Sequence, residues 1–382
     1  MGDPTAGEVL VLNVGSSSIK SVLFDTALRE VLRGGVEGLG SRAELRMGPS
    51  RQEVAAPDHR AGLAVLFQAL KVQGVAVSSL RVVGHRVVHG GPSLTAPARI
   101  TPEIEAEIAR CVPLAPLHNP HHLAAMRAVG AFAPELPQVA CFDTGFHATN
   151  PEVAHRYALP AECDEAGIRR YGFHGLSYAG LVTRLAELNG KLPERVLAFH
   201  LGNGASACAI RKGQSVATTM GYSPTDGLTM GTRCGAIDPN AVLRLAEERG
   251  TDGARHLLNH QSGLAGLSGG TSDMRRLEAS DDPASRFAIA HFTYWARRHA
   301  GSLIAAMEGV DAIVFTGGIG ENAAQVRAAI LDGLRWAGAS FDAERNARNA
   351  PRLHQDGSGV SVWVIPAQEE RVIAKAALQV LG

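Results

Sequence analysis

The sequence carries no surplus of charge: lysine plus arginine number 37, and aspartate plus glutamate also number 37. That balance argues against a broad surface for nucleic acid or for an anionic membrane, while leaving room for a small local cluster of arginines. Cysteine is sparse. Its five positions, Cys111, Cys141, Cys163, Cys208 and Cys234, are scattered and form no CxxC pair. Neither a disulfide framework nor a zinc site is expected, and a reducing cytoplasm is the expected location. No apolar run is long enough to span a bilayer. The start, Met1-Gly2-Asp3-Pro4, lacks the basic, apolar pattern of a signal, and Ala6 stands where a myristoylation site has Ser or Thr. The glycine stretch within Asp311 to Asn322 is neither a Walker loop nor a Rossmann fingerprint.

What the sequence does have is a repeated piece of grammar. Residues Val9 to Val14 form an apolar run that meets Gly15-Ser16-Ser17-Ser18, followed by Ile19 to Phe24. About half a chain later, Arg195 to Leu201 meets Gly202-Asn203-Gly204, and an apolar run follows from Ala207 to Ile210. Both read as strand, tight turn, strand. The 382 residues suffice for two cores, so a duplicated domain with one hairpin tip per half is expected. Two tips rich in N–H and hydroxyl donors would suit a polyphosphate.

Between the tips lie further candidates. Glu30 to Gly38 reads as a third strand, Gly40 to Pro57 as an irregular surface connection, and Ala61 to Val72 as a helix. The run Arg81 to Val88 reads as a strand stopped by Gly90-Gly91. Its Arg86 is either an edge-strand surface residue or an anion ligand, since arginine offers a planar fork for carboxylate or phosphate. Helices are expected to open at Thr101-Pro102 and Asn119-Pro120. The adjoining His118, His121 and His122 read as solvated histidines rather than metal ligands. The strand Val139 to Phe142 delivers Asp143 to its carboxyl end, where open α/β sheets place ligands. The loop Arg169 to Gly175 holds His174, as compatible with a structural as with a catalytic role. Met220 to Gly235 reads as a long ordered loop. Asp238-Pro239 opens a helix to about Glu248, Gly266 to Asp273 is a loop, and Asp282-Pro283 opens the longest helix, to about Met307. Asp311 to Asn322 reads as strand, glycine loop and helix onset, a layout that suits a nucleotide. A strand at Val362 to Ile365 and a helix from Glu370 to Leu381 end the chain.

Taken together these segments resemble the acetate kinases, within the acetate/propionate/butyrate kinase family. The resemblance rests on Asn13 to Lys20 (NVGSSSIK), Gly84 to Gly91 (GHRVVHGG), Pro116 to Pro120 (PLHNP), Arg169 to Gly175 (RRYGFHG) and His200 to Ser206 (HLGNGAS). It continues through Met230 to Arg233 (MGTR), Gly269 to Arg275 (GGTSDMR), Thr316 to Asn322 (TGGIGEN) and Val364 to Glu370 (VIPAQEE). It implies an α/β, two-domain actin-like fold with duplicated βββαβαβα cores and an ATP cleft between the domains. The expected domains are residues 1–148 with about 370–382, carrying the acyl site, and 149–369, carrying the nucleotide site and a homodimer interface.

The resemblance further implies transfer of a phosphoryl group from ATP to a short-chain carboxylate. Arg86 would hold the carboxylate, with Val88, Leu117, Phe173 and Pro224 around its apolar end, a set that favours acetate. Arg233 and His174 would stabilise the transferring phosphoryl. Asn13 and Glu369 would organise Mg²⁺, with Mn²⁺ as the alternative. Lys20 and the tip His200, Leu201, Gly202, Asn203 and Gly204 would approach the phosphates. Asp273, Met274, Arg275 and the loop Gly317, Gly318, Ile319, Gly320, Glu321 and Asn322 would hold adenosine. Asp143, whose usual role in the family is proton transfer, is expected here to orient Arg86 or a metal-bound water, because a carboxylate substrate is already ionised. The chain departs from the family's pattern at Gly145, Leu176, Tyr178, Ala217, Ala236 and Ala367-Gln368. These bear on how the site residues are oriented and on acyl preference. Propionate or butyrate as acceptor and a non-catalytic ATP-binding regulator are the alternative readings.

Overall fold

The structure of the protein, a computed structural model, describes residues 7–382. The Met1-Gly2-Asp3-Pro4 stretch lies outside the described residues. The chain divides into two compact units, residues 7–146 with 368–382, and residues 147–367.

The first unit is built on a sheet of β1 (Glu8–Val14), β2 (Ser18–Phe24), β3 (Glu30–Glu37), β4 (Ala43–Met47), β5 (Ser50–Val54), β6 (Leu80–Val87), β7 (Ala98–Arg99) and β8 (Gln138–Phe142). Their order is β5-β4-β3-β2-β1-β6-β8-β7. β1 pairs antiparallel with β2 and parallel with β6, and β6 pairs parallel with β8. β1 is buried along most of its length, as a near-continuous Val/Leu run in a central strand requires. The helices His59–Val72 and Asn119–Phe132 close a core of Leu10, Leu12, Ile19, Leu63, Leu66, Val83 and Val129.

The C-terminal helix Glu369–Leu381 returns to this unit, against β1, β6 and β8. It passes close to the sheet at Gly84, where a Cβ would stand 2.6 Å from Ile373 Cγ2. Any side chain there would push the helix off the sheet.

The second unit holds β9 (Arg195–Leu201), β10 (Ala205–Arg211), β11 (Gln214–Thr218), β12 (Ala312–Thr316) and β13 (Ser361–Val364), in the order β11-β10-β9-β12-β13. β9 pairs antiparallel with β10 and parallel with β12. Within each unit the first strand thus sits between an antiparallel second strand and a parallel later one, β6 in the first unit and β12 in the second. The hairpin tips fall at Gly15–Ser17 and Gly202–Gly204, closed by Gly15 N–H to Ser18 O (2.8 Å) and Gly202 N–H to Gly204 O (3.0 Å).

Several expectations are corrected. The segment 40–57 is a β-hairpin, β4–β5, rather than an irregular connection. β6 is an interior strand between β1 and β8, so Arg86 is not an edge residue. The helix opened by Asp238 runs to His260, with Gly250 non-helical at φ 72°. Residues Gly263–Ser268, partly inside the expected 266–273 loop, are helical. The Asn119 side chain does not cap its helix; it donates to the His89 carbonyl (2.9 Å). His122 is buried, not solvated.

Candidate active site

In the first unit, the parallel strands β1, β6 and β8 end side by side, and each delivers one polar residue. Leu12 pairs with His85, so Asn13 comes beside Arg86; Arg86 pairs with Cys141, and Asp143 follows just past the end of β8. Asp143 accepts from Arg86 Nη2 at 2.6 Å and from Nε at 3.1 and 3.2 Å. Asn13 Oδ1 accepts from Nη1 at 3.3 Å, and Glu369 Oε2, at the start of the C-terminal helix, lies 3.8 Å from Nε. The Asp143 side chain is 2% exposed and that of Arg86 20%. Burial opposes the Arg86 charge, but the Asp143 and Glu369 carboxylates more than offset it and hold the guanidinium well above its ordinary pKa. Three of its five N–H donors are used in these bonds, which leaves one on each Nη nitrogen for an incoming anion.

Around this arginine stand neutral histidines. Burial lowers His85 to about 4, partly countered by its bond to Gln138. His122 is pushed well below the usual imidazole range by burial and then by the Arg86 charge. Among the described residues, no group of three or more His, Cys, Asp or Glu is arranged to hold a metal. Of the residues expected around the acyl group, Val88 is buried and Leu117 is 44% exposed in this unit. Lys20 lies directly across from Asn13 on β2, on the same face, and is exposed.

The second unit brings His174, His200, Arg233 and the Gly202–Gly204 tip together. His174 precedes the helix Gly175–Asn189 with φ 60°, a left-handed conformation that costs a non-glycine residue on the order of 1–3 kcal/mol. Its ring stacks on His200 with centroids 4.0 Å apart. A Cβ added at Gly204 would lie 3.3 Å from His174 Nε2 and 3.7 Å from Arg233 Nη1, so the tip passes against both. Arg233 is anchored by donating to the Pro224 carbonyl at 3.1 Å. Phe173 is buried. Sequence reasoning missed the groups that hold these rings. Ser206 Oγ lies 2.9 Å from His174 Nδ1, Tyr178 Oη 2.5 Å from Ser206 Oγ, and Ser177 Oγ 2.9 Å from His200 Nδ1. The signal was available in spacing: Tyr178 falls one helical turn after His174, and Ser206 ends the HLGNGAS run.

The Gly317–Asn322 segment is a helix following β12 without a loop, beside the tip. Gly317 has φ 78°, and a Cβ there would meet the Leu201 carbonyl at 2.7 Å. Its N–H donates to Glu321 Oε1 (3.0 Å), as does the Ala367 N–H (3.0 Å). That amide is therefore occupied from within the fold, and the Gly318 side is the open one. Asp273 caps the helix Met274–Glu278 and pairs with Arg275 (2.8 Å); Met274 is buried, while Arg275 is largely exposed. Asp273 and Arg275, rather than the Met274 side chain, are thus the groups presented outward. None of the described helices is long and apolar enough to cross a membrane.

A model of the acetokinase family matches residues 8–375. An acetate kinase of Rhodopseudomonas palustris is 44% identical over 385 residues, covering 96% of each chain. One of Nitrobacter hamburgensis is 44% identical over 388 residues, covering 98% of this chain and 96% of the other. Among solved structures, the acetate kinase of Porphyromonas gingivalis superposes with a TM-score of 0.92 at 36% identity, covering 99% of this chain and all of that one. A propionate kinase from Francisella tularensis superposes at 0.93 and 34% identity, covering 98% and 99%.

Proposed function

The chain belongs to the acetokinase family, and from that premise we infer that it catalyses the acetate kinase reaction, the reversible transfer of the ATP γ-phosphoryl group to acetate. The observation that carries this reading in the molecule itself is Arg86. An arginine held by Asp143 at the carboxyl ends of three parallel strands, with one donor left on each Nη, is suited to a small carboxylate. On this reading the first unit binds the acyl acceptor and the second the nucleotide.

One carboxylate oxygen forms the new bond to the γ-phosphorus as the bond to the β-phosphate oxygen breaks, and ADP leaves with the electron pair. Acetate is ionised at neutral pH, so no base is needed. The work is positioning and charge stabilisation. Arg233 and His174, both against the Gly204 tip, face the transferring group; the His200–Gly204 tip and Lys20 approach the phosphates. Asp273, Arg275 and the Gly317–Asn322 segment lie on the adenosine side. Asn13 and Glu369 offer an amide oxygen and a carboxylate near Arg86. Such a sparse, hard donor set fits Mg²⁺ or Mn²⁺, which complete their shells from phosphate and water. When bound, the metal neutralises phosphate charge. A cytoplasmic location accords with five unpaired cysteines. The exposed Leu243, Phe287 and Tyr294 offer the second unit apolar surface for a homodimer.

Asp143 acts by orienting Arg86. Asp143→Asn is expected to raise the KM for acetate by about 10- to 100-fold, the worth of a weakened charged hydrogen bond, with the shape of the pH profile of kcat unchanged. Unaltered Michaelis constants together with loss of a pH-dependent limb in turnover would instead make Asp143 a proton-transfer group.

The reading is tested by ADP release with acetate, propionate and butyrate. One methylene is worth about 1–3 kcal/mol in an apolar pocket. Hence kcat/KM is expected to be highest for acetate and about tenfold or more lower for propionate. A maximum at propionate or butyrate would keep the chemistry and move the acyl preference.

A further inference from the structure

We propose that Arg170 is a positioning residue for phosphoryl transfer: with Asp226 it clamps the 219–238 loop against the 170–172 segment, and so holds Arg233 in place beside His174. The clamp is a matter of hydrogen bonds within the second unit; its effect on rate rests on the phosphoryl-transfer reading above.

Between β11 and the helix Pro239–His260 the chain runs from 219 to 238 without a helix or strand. Arg233 lies on this stretch. Its bond to the Pro224 carbonyl is made to an atom of the same loop, so that bond fixes Arg233 relative to the loop and not to the rest of the site. A loop of this length needs tethers from outside to hold a guanidinium at one point. They come from the 170–172 segment, which leads through Phe173 into His174. Arg170 Nη1 donates to Asp226 Oδ2 at 3.1 Å and faces the Thr219 and Met220 carbonyls at 3.4 Å each. The Tyr171 and Gly172 N–H groups donate to the Gly221 carbonyl at 3.0 and 3.3 Å. Tyr157, whose ring centroid lies 5.3 Å from Arg170 Cζ, accepts the Tyr222 N–H on its Oη at 2.9 Å. Every donor here is a guanidinium or a backbone N–H, so the direction of each bond follows from the atoms themselves.

Asp226 carries the clamp inward. Its other oxygen, Oδ1, accepts the Gly227 N–H at 2.8 Å, and the Gly227 carbonyl accepts the Ala236 N–H at 2.9 Å, which closes the loop around Arg233. Two glycines record how tightly it is drawn in. A Cβ at Gly221 would stand 2.5 Å from Tyr157 Oη and 2.6 Å from Asp226 Oδ2, and one at Gly227 would stand 2.5 Å from the Thr219 carbonyl. The Arg170 and Asp226 side chains are 25% and 37% exposed, and an ion pair so open to water contributes little to stability. What it contributes is geometry, because it joins the two segments that carry Arg233 and His174, the groups against the Gly204 tip.

The first readout needs no substrate. In the full-length protein, Arg170→Met is expected to quicken amide hydrogen exchange by about tenfold or more at Tyr171, Gly172 and Tyr222, and to leave β9 and β12 unchanged. In turnover with MgATP and acetate, kcat is expected to fall by about 10- to 100-fold with both KM values unchanged, because a displacement of about 1 Å at the reacting centre costs about 10²-fold. Asp226→Asn, which keeps the size of the side chain, should move the same readouts by less, and it decides the matter where Arg170→Met does not fold. Added to Arg233→Ala, Arg170→Met should lower kcat by no more than about a further twofold. Unaltered exchange at the three amides, a loss confined to KM, or fully additive losses with Arg233→Ala would overturn the proposal. Absence of acyl phosphate from the wild type with every acid would overturn the kinase reading instead, and the exchange rates would still decide the clamp.

Discussion

Arg86→Ala is expected to lower kcat/KM for acetate by about 10³-fold or more. Two charged hydrogen bonds to the substrate carboxylate, at about 1.5–3 kcal/mol each, are lost together. The same change leaves the Asp143 carboxylate, 2% exposed, without its guanidinium. Breaking a buried pair costs about 3–5 kcal/mol, and the low end applies because Arg86 is one-fifth exposed. The variant should therefore unfold at a lower urea concentration as well as losing activity, and the two effects must be separated. Arg86→Ala combined with Asp143→Ala removes both charges. It is expected to regain much of the stability and none of the activity. Recovery of turnover in the double variant would show that Arg86 serves the fold and not the substrate.

The second large effect is at Arg233. On the reading proposed here it stabilises charge on the transferring phosphoryl, so Arg233→Ala should lower kcat by about 10³-fold or more, the range of arginines that act on phosphoryl groups, with little change in the KM for ATP. Arg233→Lys should restore little. Lysine keeps the charge but not the planar fork, and one Nη of Arg233 is already committed to the Pro224 carbonyl at 3.1 Å. Single-turnover kinetics would separate the chemical step from product release. A loss smaller than tenfold, or one confined to KM, would remove Arg233 from the transition state.

Much of this architecture could be read in the chain because it rests on local rules. Apolar runs ending in glycine and serine gave the two hairpins, and β12 followed by Gly317 gave a strand and helix onset. Thr101 before Pro102 marked a helix start, and its hydroxyl accepts the Ile104 N–H. The misreadings came where tertiary structure decides. β4 and β5 were missed because Ser50 to Glu53 are exposed, so no apolar alternation marks them. Arg86 was open to two local readings, edge residue or anion ligand, because arginine alone is costly to bury; its partners are 57, 73 and 283 positions away in sequence, at Asp143, Asn13 and Glu369. Asn119 looked like a cap, yet its amide serves the buried His89 backbone. The resemblance supplied His174 as a site residue, but it did not supply the chain from Tyr178 through Ser206. That chain depends on β10 meeting the 175–189 helix, which no local pattern encodes.

The central claim is that this chain moves a phosphoryl group onto a carboxylate. It is tested most directly by incubating the protein with MgATP and acetate and trapping acyl phosphate as the hydroxamate while ADP is measured. The account predicts acetyl hydroxamate in step with ADP, dependent on acetate and absent with Arg86→Ala. ATP binding or hydrolysis that proceeds without hydroxamate from acetate, propionate or butyrate would contradict it.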